Sequence, residues 1–318
     1  MSVDKKKNVL ITGGYGLIGS TLANTLEGVI TILVRSDNHK ERIKKEGVRV
    51  IKKDLLDISK EDVGDQDVIY HCASTVDNYH VLTNPYLDAE INIKGTTRLL
   101  EACKDQKKKP KIIFFSTFFV YGNEYDRTKT PINEESKTDP LALYPITKLA
   151  AESVIKLYSR LYKIPYLICR LTNLYSEDEE YTNKKKGVLN WLIMTAVRGG
   201  TLPIYRGGNF QRDYIYLGDV ISAVEFLENK NIINETFLIG FGKPVLFRDM
   251  INYIHELTGR KSKINEIEPP DFHKVVGISN FVADTSKINN LGWKAKIDYK
   301  EGLKRIIEKY KKLKTPSN

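Results

Sequence analysis

Cysteine and histidine are scarce in this 318-residue sequence. The three cysteines, Cys72, Cys103 and Cys169, each lie in an apolar stretch. Because an odd and sparse set of cysteines does not suggest a disulfide framework, we expect all three to be buried thiols. The five histidines show none of the spacings that metal sites use, and we expect no metal site.

Long apolar stretches are also absent, and none approaches the roughly 18 residues that cross a bilayer. The first residues, Met1 to Lys7, are charged and lead straight into an apolar segment. They have neither the hydrophobic region nor the cleavage site of a signal peptide. We therefore expect a cytoplasmic protein that has no membrane partner.

The charge balance is basic, with 50 lysines and arginines against 40 acidic residues and a net charge of +10. The lysines occur in short runs along the whole chain, as they do on solvated surfaces. We therefore expect no nucleic-acid partner. A diffuse positive field of this kind favours a doubly anionic ligand such as a pyrophosphate.

The first half of the chain alternates short β-branched segments with longer amphipathic ones, which predicts a parallel sheet with helices on both faces. After Thr172 this rhythm loosens. We therefore predict a first domain over residues 1–175 and a smaller, mainly separate α/β lobe over 176–318, with the chain crossing back to the first domain. The predicted strands are 8–12, 30–34, 48–52, 67–72, 111–116 and 165–170, and the predicted helices are 17–26, 91–103 and 140–161.

A glycine-rich segment joins the first predicted strand to the first predicted helix, with the spacing G-x-x-G-x-x-G. Glycine permits a tight turn and lets backbone N–H groups approach a pyrophosphate, to which the helix presents the positive end of its dipole. This strand-to-helix context favours dinucleotide binding over a purely structural turn. The residues expected to bind the cofactor here are Gly13, Gly16, Leu17, Ile18 and Gly19.

The end of the second predicted strand bears on which dinucleotide binds. An acidic residue there would bond the ribose 2′-hydroxyl of NAD, but this sequence has Arg35 followed by Ser36. A guanidinium pairs with a 2′-phosphate through two hydrogen bonds. We therefore expect both residues to contact the cofactor and to favour NADP, while Asp37, two residues on, keeps NAD open.

Tyr144 and Lys148 have the spacing Y-x-x-x-K, which places both side chains on one face of a helix, one turn apart. A nearby ammonium favours the phenolate, so Lys148 is expected to lower the pKa of Tyr144, and it could also bond a cofactor ribose. Thr117 follows Ser116 at the end of the fifth predicted strand, the edge at which parallel sheets present ligands. Thr117 and Tyr144 would share the proton of an alcohol whose carbon gives up hydride.

Together and in order, these segments resemble the extended short-chain dehydrogenase/reductase superfamily, in its branch of nucleotide-sugar epimerases, dehydratases and reductases. The resemblance runs along most of the chain. It implies a Rossmann-type, doubly wound α/β fold with a smaller C-terminal substrate lobe. It also implies further cofactor contacts, from Asp54 and Leu55 near the adenine, from Ala73 in the H-x-A segment at the fourth strand, and from Asn92 in the N-x-x-G-T helix motif.

The same resemblance implies the substrate side of the site. Asn173, in the segment R-x-x-N-x-Y, corresponds to an asparagine that touches the sugar diphosphate, and Arg212, in Q-R-D-Y, corresponds to an arginine that clamps a phosphate. Thr117 is the third expected substrate contact. Related enzymes often dimerise through a four-helix bundle that includes the Tyr-x-x-x-Lys helix, which implies a homodimer.

Some positions depart from the pattern of this branch. Phe118 and Phe119 stand where its 4,6-dehydratases have an aspartate and a glutamate. Removing water across C5–C6 needs an acid and a base, which phenylalanine does not supply, so we do not expect a dehydratase. Ser176 and Glu177 replace the usual Gly-Pro, so that loop is expected to bind or close differently.

We predict a nucleotide-sugar C4 epimerase, similar to UDP-hexose 4-epimerases. Tyr144 takes the hydroxyl proton, hydride leaves C4, and the ketosugar turns over and takes the hydride back on its other face. A ketoreductase that consumes NADPH stays open because Arg35 favours NADP. A silent dinucleotide-binding sensor is the alternative of another class, and the joint presence of Thr117, Tyr144 and Lys148 argues against it.

Overall fold

The structure is a computed structural model, and it describes residues 6–76, 80–182 and 187–314. The strands, in chain order, are β1 (Asn8–Thr12), β2 (Val29–Val34), β3 (Arg49–Lys52), β4 (Val68–His71), β5 (Lys111–Thr117), β6 (Tyr166–Leu171), β7 (Asn173–Tyr175), β8 (Thr201–Tyr205), β9 (Gln211–Arg212), β10 (Tyr214–Tyr216), β11 (Glu235–Ile239), β12 (Val245–Leu246) and β13 (Lys263–Ile267).

The α-helices lie between these strands in the sequence and after the last of them. In chain order they are α1 (Leu17–Thr25), α2 (Lys60–Val63), α3 (His80–Thr83), α4 (Pro85–Asp88), α5 (Thr96–Lys104), α6 (Glu124–Thr128), α7 (Leu143–Tyr162), α8 (Val188–Val197), α9 (Leu217–Asn229), α10 (Phe247–Leu257), α11 (Asp271–Val276), α12 (Ser286–Asn290) and α13 (Tyr299–Lys314). A π-helical segment, Ala89–Gly95, runs directly into α5. The helix predicted over 91–103 therefore has two different windings.

A seven-stranded sheet has the order β11-β6-β5-β4-β1-β2-β3. The pairs β1–β2, β2–β3, β1–β4 and β4–β5 are parallel, so each needs a crossover connection. The order 3-2-1-4-5-6 within this sheet is that of doubly wound dinucleotide-binding folds, which confirms the predicted fold class. The seventh strand, β11, was not predicted, because its sequence lies far from the alternating first half.

The chain divides into two compact units, and the first contains Met1–Thr117, Ala142–Arg170 and Val224–Phe237. Every residue of β4 and β5 is buried, as expected for strands covered on both faces. One core cluster joins the sheet to the inner faces of α5 and α7, which contribute Leu99, Leu100, Ala151 and Ile155. This packing fixes α7, the helix that carries Tyr144 and Lys148.

The second unit contains Phe118–Leu141, Leu171–Ala223 and Leu238–Asn318. It has its own short ladders, β7–β10 and β8–β13 in parallel and β9–β12 antiparallel. Its core gathers side chains of α8, α10 and α13 around Leu202 and Ile204. Residues 118–141 and 171–175 thus fall in the second unit and residues 224–237 in the first, whereas the predicted domains meet at residue 175. The predicted domain bounds stay a prediction.

The structure also shows the state of the three cysteines. All three cysteines are free thiols; Cys103 and Cys169 are buried, whereas Cys72 as a whole residue is partly exposed, contrary to expectation, although burial of its thiol raises the pKa. Burial raises the pKa of both buried thiols to about 12. Within the described ranges, no helix is long and apolar enough to cross a membrane, and no cluster of histidine, cysteine and acidic side chains could hold a metal ion.

Candidate active site

The glycine loop, residues 12–19, turns sharply where β1 ends. The N–H groups of Gly13 and Gly14 donate to the Leu33 carbonyl at 3.0 and 3.2 Å, which ties the loop to β2. Gly13 has φ +67°, and a Cβ atom there would lie 2.8 Å from the backbone nitrogen of Ala73. Only glycine satisfies both conditions, because a side chain would push the loop away from the neighbouring strand end.

The loop leads into α1 with no side chain over the helix end. The cap residue Gly16 makes no side-chain hydrogen bond, and the first turn contains no acidic residue. A Cβ atom at Gly19 would lie 2.4 Å from the Gly13 carbonyl oxygen, so the helix packs directly against the loop. The first-turn N–H groups have no acceptor within the helix. This arrangement of donors and close backbone fits the pyrophosphate of a dinucleotide.

Basic side chains gather beside the glycine loop at the end of β2. Arg35 is exposed there, and the guanidinium of Arg42 donates to the Tyr15 carbonyl at 3.4 Å. The nearby carboxylate of Asp37 is paired with Lys52 at 2.5 Å, and this hydrogen bond lowers the pKa of Asp37. The acidic group that kept NAD open is therefore engaged by a lysine.

Asp54 and Leu55, the expected adenine contacts, have local structural partners. The Asp54 side chain accepts a hydrogen bond from the Leu56 N–H at 2.9 Å and caps a short 3-10 turn. Leu55 is buried and packs so closely on Gly95 that a Cβ there would lie 2.7 Å from its Cδ2 atom. Their role toward a cofactor stays a prediction.

A buried histidine links the glycine loop to the segment that carries Asn92. The Ala73 N–H donates to Thr12 Oγ1 at 3.1 Å, and Thr12 Oγ1 lies 2.7 Å from His71 Nδ1. His71 Nε2 lies 2.9 Å from Thr96 Oγ1, whose hydroxyl donates to the Asn92 carbonyl at 2.6 Å. Because both hydroxyls then have fixed roles, His71 carries its proton on Nε2 and accepts on Nδ1.

The chain of hydrogen bonds continues from Asn92 into α7. The Asn92 amide oxygen accepts from Ser74 Oγ and from the Thr75 N–H, at 2.9 and 3.1 Å. Its Nδ2 atom donates to Thr147 Oγ1 at 2.9 Å, and the Thr147 hydroxyl donates to the Tyr144 carbonyl at 2.8 Å. The expected cofactor contact Asn92 is thus a structural link between the β4 end and the turn of α7 that carries Tyr144.

Tyr144 and Thr117 are brought together as predicted, although they come from different elements. Thr117 ends β5, and its hydroxyl is hydrogen-bonded to Tyr144 in the first turn of α7. Burial is the largest influence and raises the pKa of Tyr144; the Thr117 hydrogen bond lowers it, and the charge of Asp88 raises it further. The expected lowering of this pKa by Lys148 is wrong for the protein without cofactor, because burial of the phenol dominates and Lys148 is not among the charges that shift it.

Lys148 lies one turn beyond Tyr144 and is 2% exposed. Its Nζ atom lies 4.0 Å from the centre of the Phe114 ring and 3.5 Å from Ser74 Oγ. Burial lowers the pKa of Lys148 to about 7, while the charge of Glu152 acts to raise it. The proton affinity of Lys148 is therefore set by two opposing influences, of which burial is the larger.

Two of the three expected substrate contacts, Asn173 and Arg212, belong to the second unit, whereas Thr117 belongs to the first. The Asn173 side chain donates to the Asp213 carbonyl at 2.9 Å. The guanidinium of Arg212 donates to the carbonyls of Ser279 and Ile278, and burial lowers its pKa to about 10. Both side chains thus have backbone partners within their own unit, and their role toward a sugar diphosphate stays a prediction.

A sequence model of the NAD dependent epimerase/dehydratase family matches residues 9–240. The chain belongs to this family. A putative UDP-glucose 4-epimerase of Methanocaldococcus jannaschii is 33% identical over 94% of this chain and 97% of its own length. A trifunctional UDP-glucose 4,6-dehydratase/UDP-4-keto-6-deoxy-D-glucose 3,5-epimerase/UDP-4-keto-L-rhamnose-reductase of Arabidopsis thaliana is 30% identical over 98% of this chain and 48% of its own length.

A solved structure shows the same fold in this epimerase/dehydratase family. The crystal structure of UDP-glucuronic acid 4-epimerase from Bacillus cereus, in complex with UDP-glucuronic acid and NAD, matches with a TM-score of 0.83. The two chains are 25% identical, and the match covers 96% of this chain and 99% of that one. The family and the fold are therefore established by independent comparisons.

The two residues directly after Thr117 are apolar, namely Phe118 and Phe119. Phe118 is 1% exposed, and its ring centre lies 4.3 Å from that of Phe119 and 4.5 Å from that of Phe281. These rings pack with one another and offer no carboxyl group. Any acid–base chemistry at this point of the chain must therefore come from Thr117 itself or from other residues.

Sequence reasoning missed the parts of this site that depend on long-range contacts. In the H-x-A segment only Ala73 was assigned a role, and the link of His71 to the glycine loop follows from the strand register Thr12↔His71, which the sequence does not show. Thr147 gave no signal, since its position between Tyr144 and Lys148 carries no motif. Each owes its place to a hydrogen bond between segments that are distant in sequence.

Proposed function

We propose that this chain is an NAD(P)-dependent 4-epimerase of UDP-linked hexoses. The observation that carries the proposal is the hydrogen bond between Thr117 and Tyr144, one helical turn before the buried Lys148 and in the same unit as the glycine loop. The two relatives that align over nearly their whole length support the substrate class, since both are named as UDP-sugar 4-epimerases.

In the proposed reaction the phenol oxygen of Tyr144 takes the proton of the C4 hydroxyl and later returns it. Thr117 donates a hydrogen bond that favours the phenolate, and protonated Lys148 adds a positive charge one turn away. A bound oxidised dinucleotide supplies the hydride acceptor and a positive charge of its own. Because proton and hydride both return to the same sugar, its oxidation state is unchanged.

The residues that would hold the dinucleotide are those of the glycine loop and the first turn of α1. Backbone N–H groups there would bind the pyrophosphate, and Lys148 would bond a ribose hydroxyl. We propose that Asn92 acts indirectly, because its amide already bonds Ser74 and Thr147. Mutation of Asn92 should then loosen α7 and lower turnover more than it weakens cofactor affinity.

For the cofactor we propose NADP, with Arg35 as the residue that selects it. The support is the exposed guanidinium at the end of β2, with Arg42 nearby and Asp37 paired to Lys52. Calorimetric titration of the purified protein with both cofactors tests this. NADP should bind more tightly, by about tenfold or more for a bidentate charge-assisted contact.

Arg35→Ala should remove the preference for NADP, whereas Arg98→Ala, an exposed arginine on α5, should leave it unchanged. The crystal structure of the Bacillus cereus relative contains NAD. Tighter binding of NAD that is unaffected by Arg35→Ala would refute the assignment to NADP.

The reaction itself is tested with UDP-glucose and the preferred cofactor. We expect UDP-galactose to form with no net consumption of NAD(P)H. Tyr144→Phe should keep cofactor binding and lose at least about a hundredfold in turnover. Tyr158→Phe is the matched control on the same helix, because its hydroxyl bonds Glu101 at 2.5 Å and takes no part in the proposed chemistry.

Other outcomes identify other functions. Stoichiometric oxidation of NADPH by a 4-ketosugar would make the chain a reductase, the reaction that Arg35 also favours. Loss of one water from UDP-glucose would make it a dehydratase, against which we propose the phenylalanines at 118 and 119 as evidence. Cofactor binding with no turnover on a panel of nucleotide sugars would identify a sensor.

We also propose that the protein is a homodimer through α7. Ile146, Leu157 and Leu161 are 46%, 42% and 60% exposed, and their spacing of eleven and four residues places them on one face of the helix. Light scattering should give twice the mass of one chain, and Leu157→Glu should halve it. Val275→Glu, at an exposed apolar position on α11, should not. A monomer at micromolar concentration would refute the proposal.

A further inference from the structure

A buried ion pair lies next to the candidate catalytic residues. Glu152 in the middle of α7 and Arg170 in β6 have side chains that are 1% and 5% exposed. Arg170 Nη2 lies 2.7 Å from Glu152 Oε2, and Arg170 Nε lies 3.0 and 3.2 Å from the two carboxylate oxygens. Ser116 in β5 donates its hydroxyl to Glu152 Oε1 at 2.5 Å. Two strands therefore fix the position of this carboxylate.

The pair stands on the helix face that carries the proton-transferring residues. Glu152 follows Lys148 by four residues and Tyr144 by eight, and residues four apart share one face of a helix. Burial lowers the pKa of Lys148 to about 7, and the charge of Glu152 is the first influence that opposes it. The ammonium thus has a fixed carboxylate one turn away.

We propose that Glu152 is a positioning residue whose fixed charge keeps Lys148 protonated while Tyr144 exchanges its proton. Arg170 and Ser116 hold the carboxylate in place. The inference rests on the proposed function, in which Tyr144 and Lys148 act as the acid–base pair. The competing explanation is an ion pair that only fastens α7 to the sheet, and a buried ion pair is weak evidence for that, because desolvation offsets its attraction.

Arg170 keeps the Glu152 carboxylate charged and in place. A lone buried carboxylate would take up a proton, since burial disfavours its charged form. The guanidinium binds both oxygens of Glu152 and so preserves the charge. It also prevents the carboxylate from moving onto Lys148, whose Nζ atom instead lies near Ser74 and the Phe114 ring.

Other titratable groups around the dyad come from α4 and from the end of β4. Burial lowers the pKa of His71 to about 3 and raises that of the Cys72 thiol, so both are uncharged near neutral pH. The charge of Asp88 raises the pKa of Tyr144 and so acts in the same direction as Glu152. None of these groups changes in the variants below, so their effects cancel in each comparison.

The test compares the pH dependence of kcat in E152Q, E152Q/R170M and R170K. Removing the negative charge makes each proton of the coupled Lys148–Tyr144 pair easier to lose, so both limbs of the profile should move to lower pH, by roughly one unit in E152Q. R170K keeps both charges but loses the two-point contact. R170K should lower thermal stability and leave the pH profile of kcat in place. If the ion pair were purely structural, R170K and E152Q would change the pH profile in the same way.

A second readout avoids catalysis altogether. The Nζ and Cε resonances of Lys148 in the cofactor-free protein, assigned by their loss in Lys148→Met, give its titration midpoint by NMR. The midpoint should fall by roughly one unit in E152Q, fall less in the double variant, and stay unchanged in R170K. If E152Q does not fold because Arg170 loses its carboxylate partner, the double variant decides, since neither charge remains.

The two readouts separate the inference from the function on which it rests. A lowered NMR midpoint without epimerase activity would overturn the proposed reaction and still support the effect of Glu152 on Lys148. An unmoved midpoint in E152Q and in the double variant would overturn the inference, whatever the activity. Equal shifts in R170K and E152Q would also overturn it, because packing and not charge would then explain both.

Discussion

Replacing His71 by glutamine tests the buried hydrogen-bond chain that joins the glycine loop to Asn92. The imidazole is 1% exposed and lies between the hydroxyls of Thr12 and Thr96, at 2.7 and 2.9 Å. Thr12 can donate to Nδ1 only while the ring is neutral. Glutamine keeps one donor and one acceptor but does not titrate, so the variant removes the proton equilibrium and retains the polar character.

The size of the effect follows from the pKa of His71, which burial lowers to about 3, against about 6.5 in an unfolded chain. The native state therefore excludes a proton that the unfolded chain binds. The stabilisation is fully present above about pH 6.5 and is lost as the pH falls, by about 1.4 kcal/mol per unit. Between pH 6.5 and pH 4.5 the loss is about 2 kcal/mol, because the unfolded histidine is only half protonated at the start of this range.

Urea unfolding followed by far-ultraviolet circular dichroism measures this effect, because both tryptophans lie in the second unit and would not report on the first. The difference in unfolding free energy between the natural protein and His71→Gln should shrink steadily below about pH 6.5. Asp213, whose pKa burial raises to about 6, changes stability in the opposite direction but is common to both proteins. His255→Gln, at a partly exposed position, is the control. A difference that does not vary with pH would refute the neutral, buried state of His71.

Further variants test single contacts. Gly13→Ala should destabilise the fold by about 1–3 kcal/mol in thermal unfolding, because φ is +67° and the new Cβ would lie 2.8 Å from a backbone nitrogen. Gly47→Ala, at φ +76° but with nothing within 4 Å, should cost less, and equal losses would show that the clash is unimportant. Thr147→Val should cost about 1–3 kcal/mol, because the buried Asn92 amide loses an acceptor. Thr97→Val, at a partly buried position on α5 where the hydroxyl donates to the Ile93 carbonyl one turn earlier, should cost under about 0.5 kcal/mol; a similar loss in both would contradict the assigned contact.

Several features of the site could be predicted because they depend on local spacing. A G-x-x-G-x-x-G segment between a strand and a helix can make few other structures, and its position at 12–19 was confirmed. The Y-x-x-x-K spacing places Tyr144 and Lys148 one turn apart in any helix, and α7 is such a helix. Thr117 was placed correctly because parallel strands end at a common edge.

The electrostatics of the same residues could not be predicted. The sequence pointed to a lowered pKa for Tyr144, yet burial raises it, because solvent access to the phenol depends on segments far along the chain. The carbonyl partners of the Arg212 guanidinium, Ser279 and Ile278, could not be predicted either, because they lie more than sixty residues away; its contact with a phosphate stays a prediction. Partners at such distances leave no local pattern.

By itself, the sequence determined the doubly wound fold, the glycine loop and the identity of the Thr117–Tyr144–Lys148 group, since strand and helix periodicities set these over a few residues. Only the tertiary structure decided what surrounds that group. It brought Glu152 to Arg170 and Ser116 from three separate elements, and it connected His71 to α7 through Asn92 and Thr147. The reason is physical: charge and proton affinity depend on burial and on neighbours in space, and these exist only once the chain has folded.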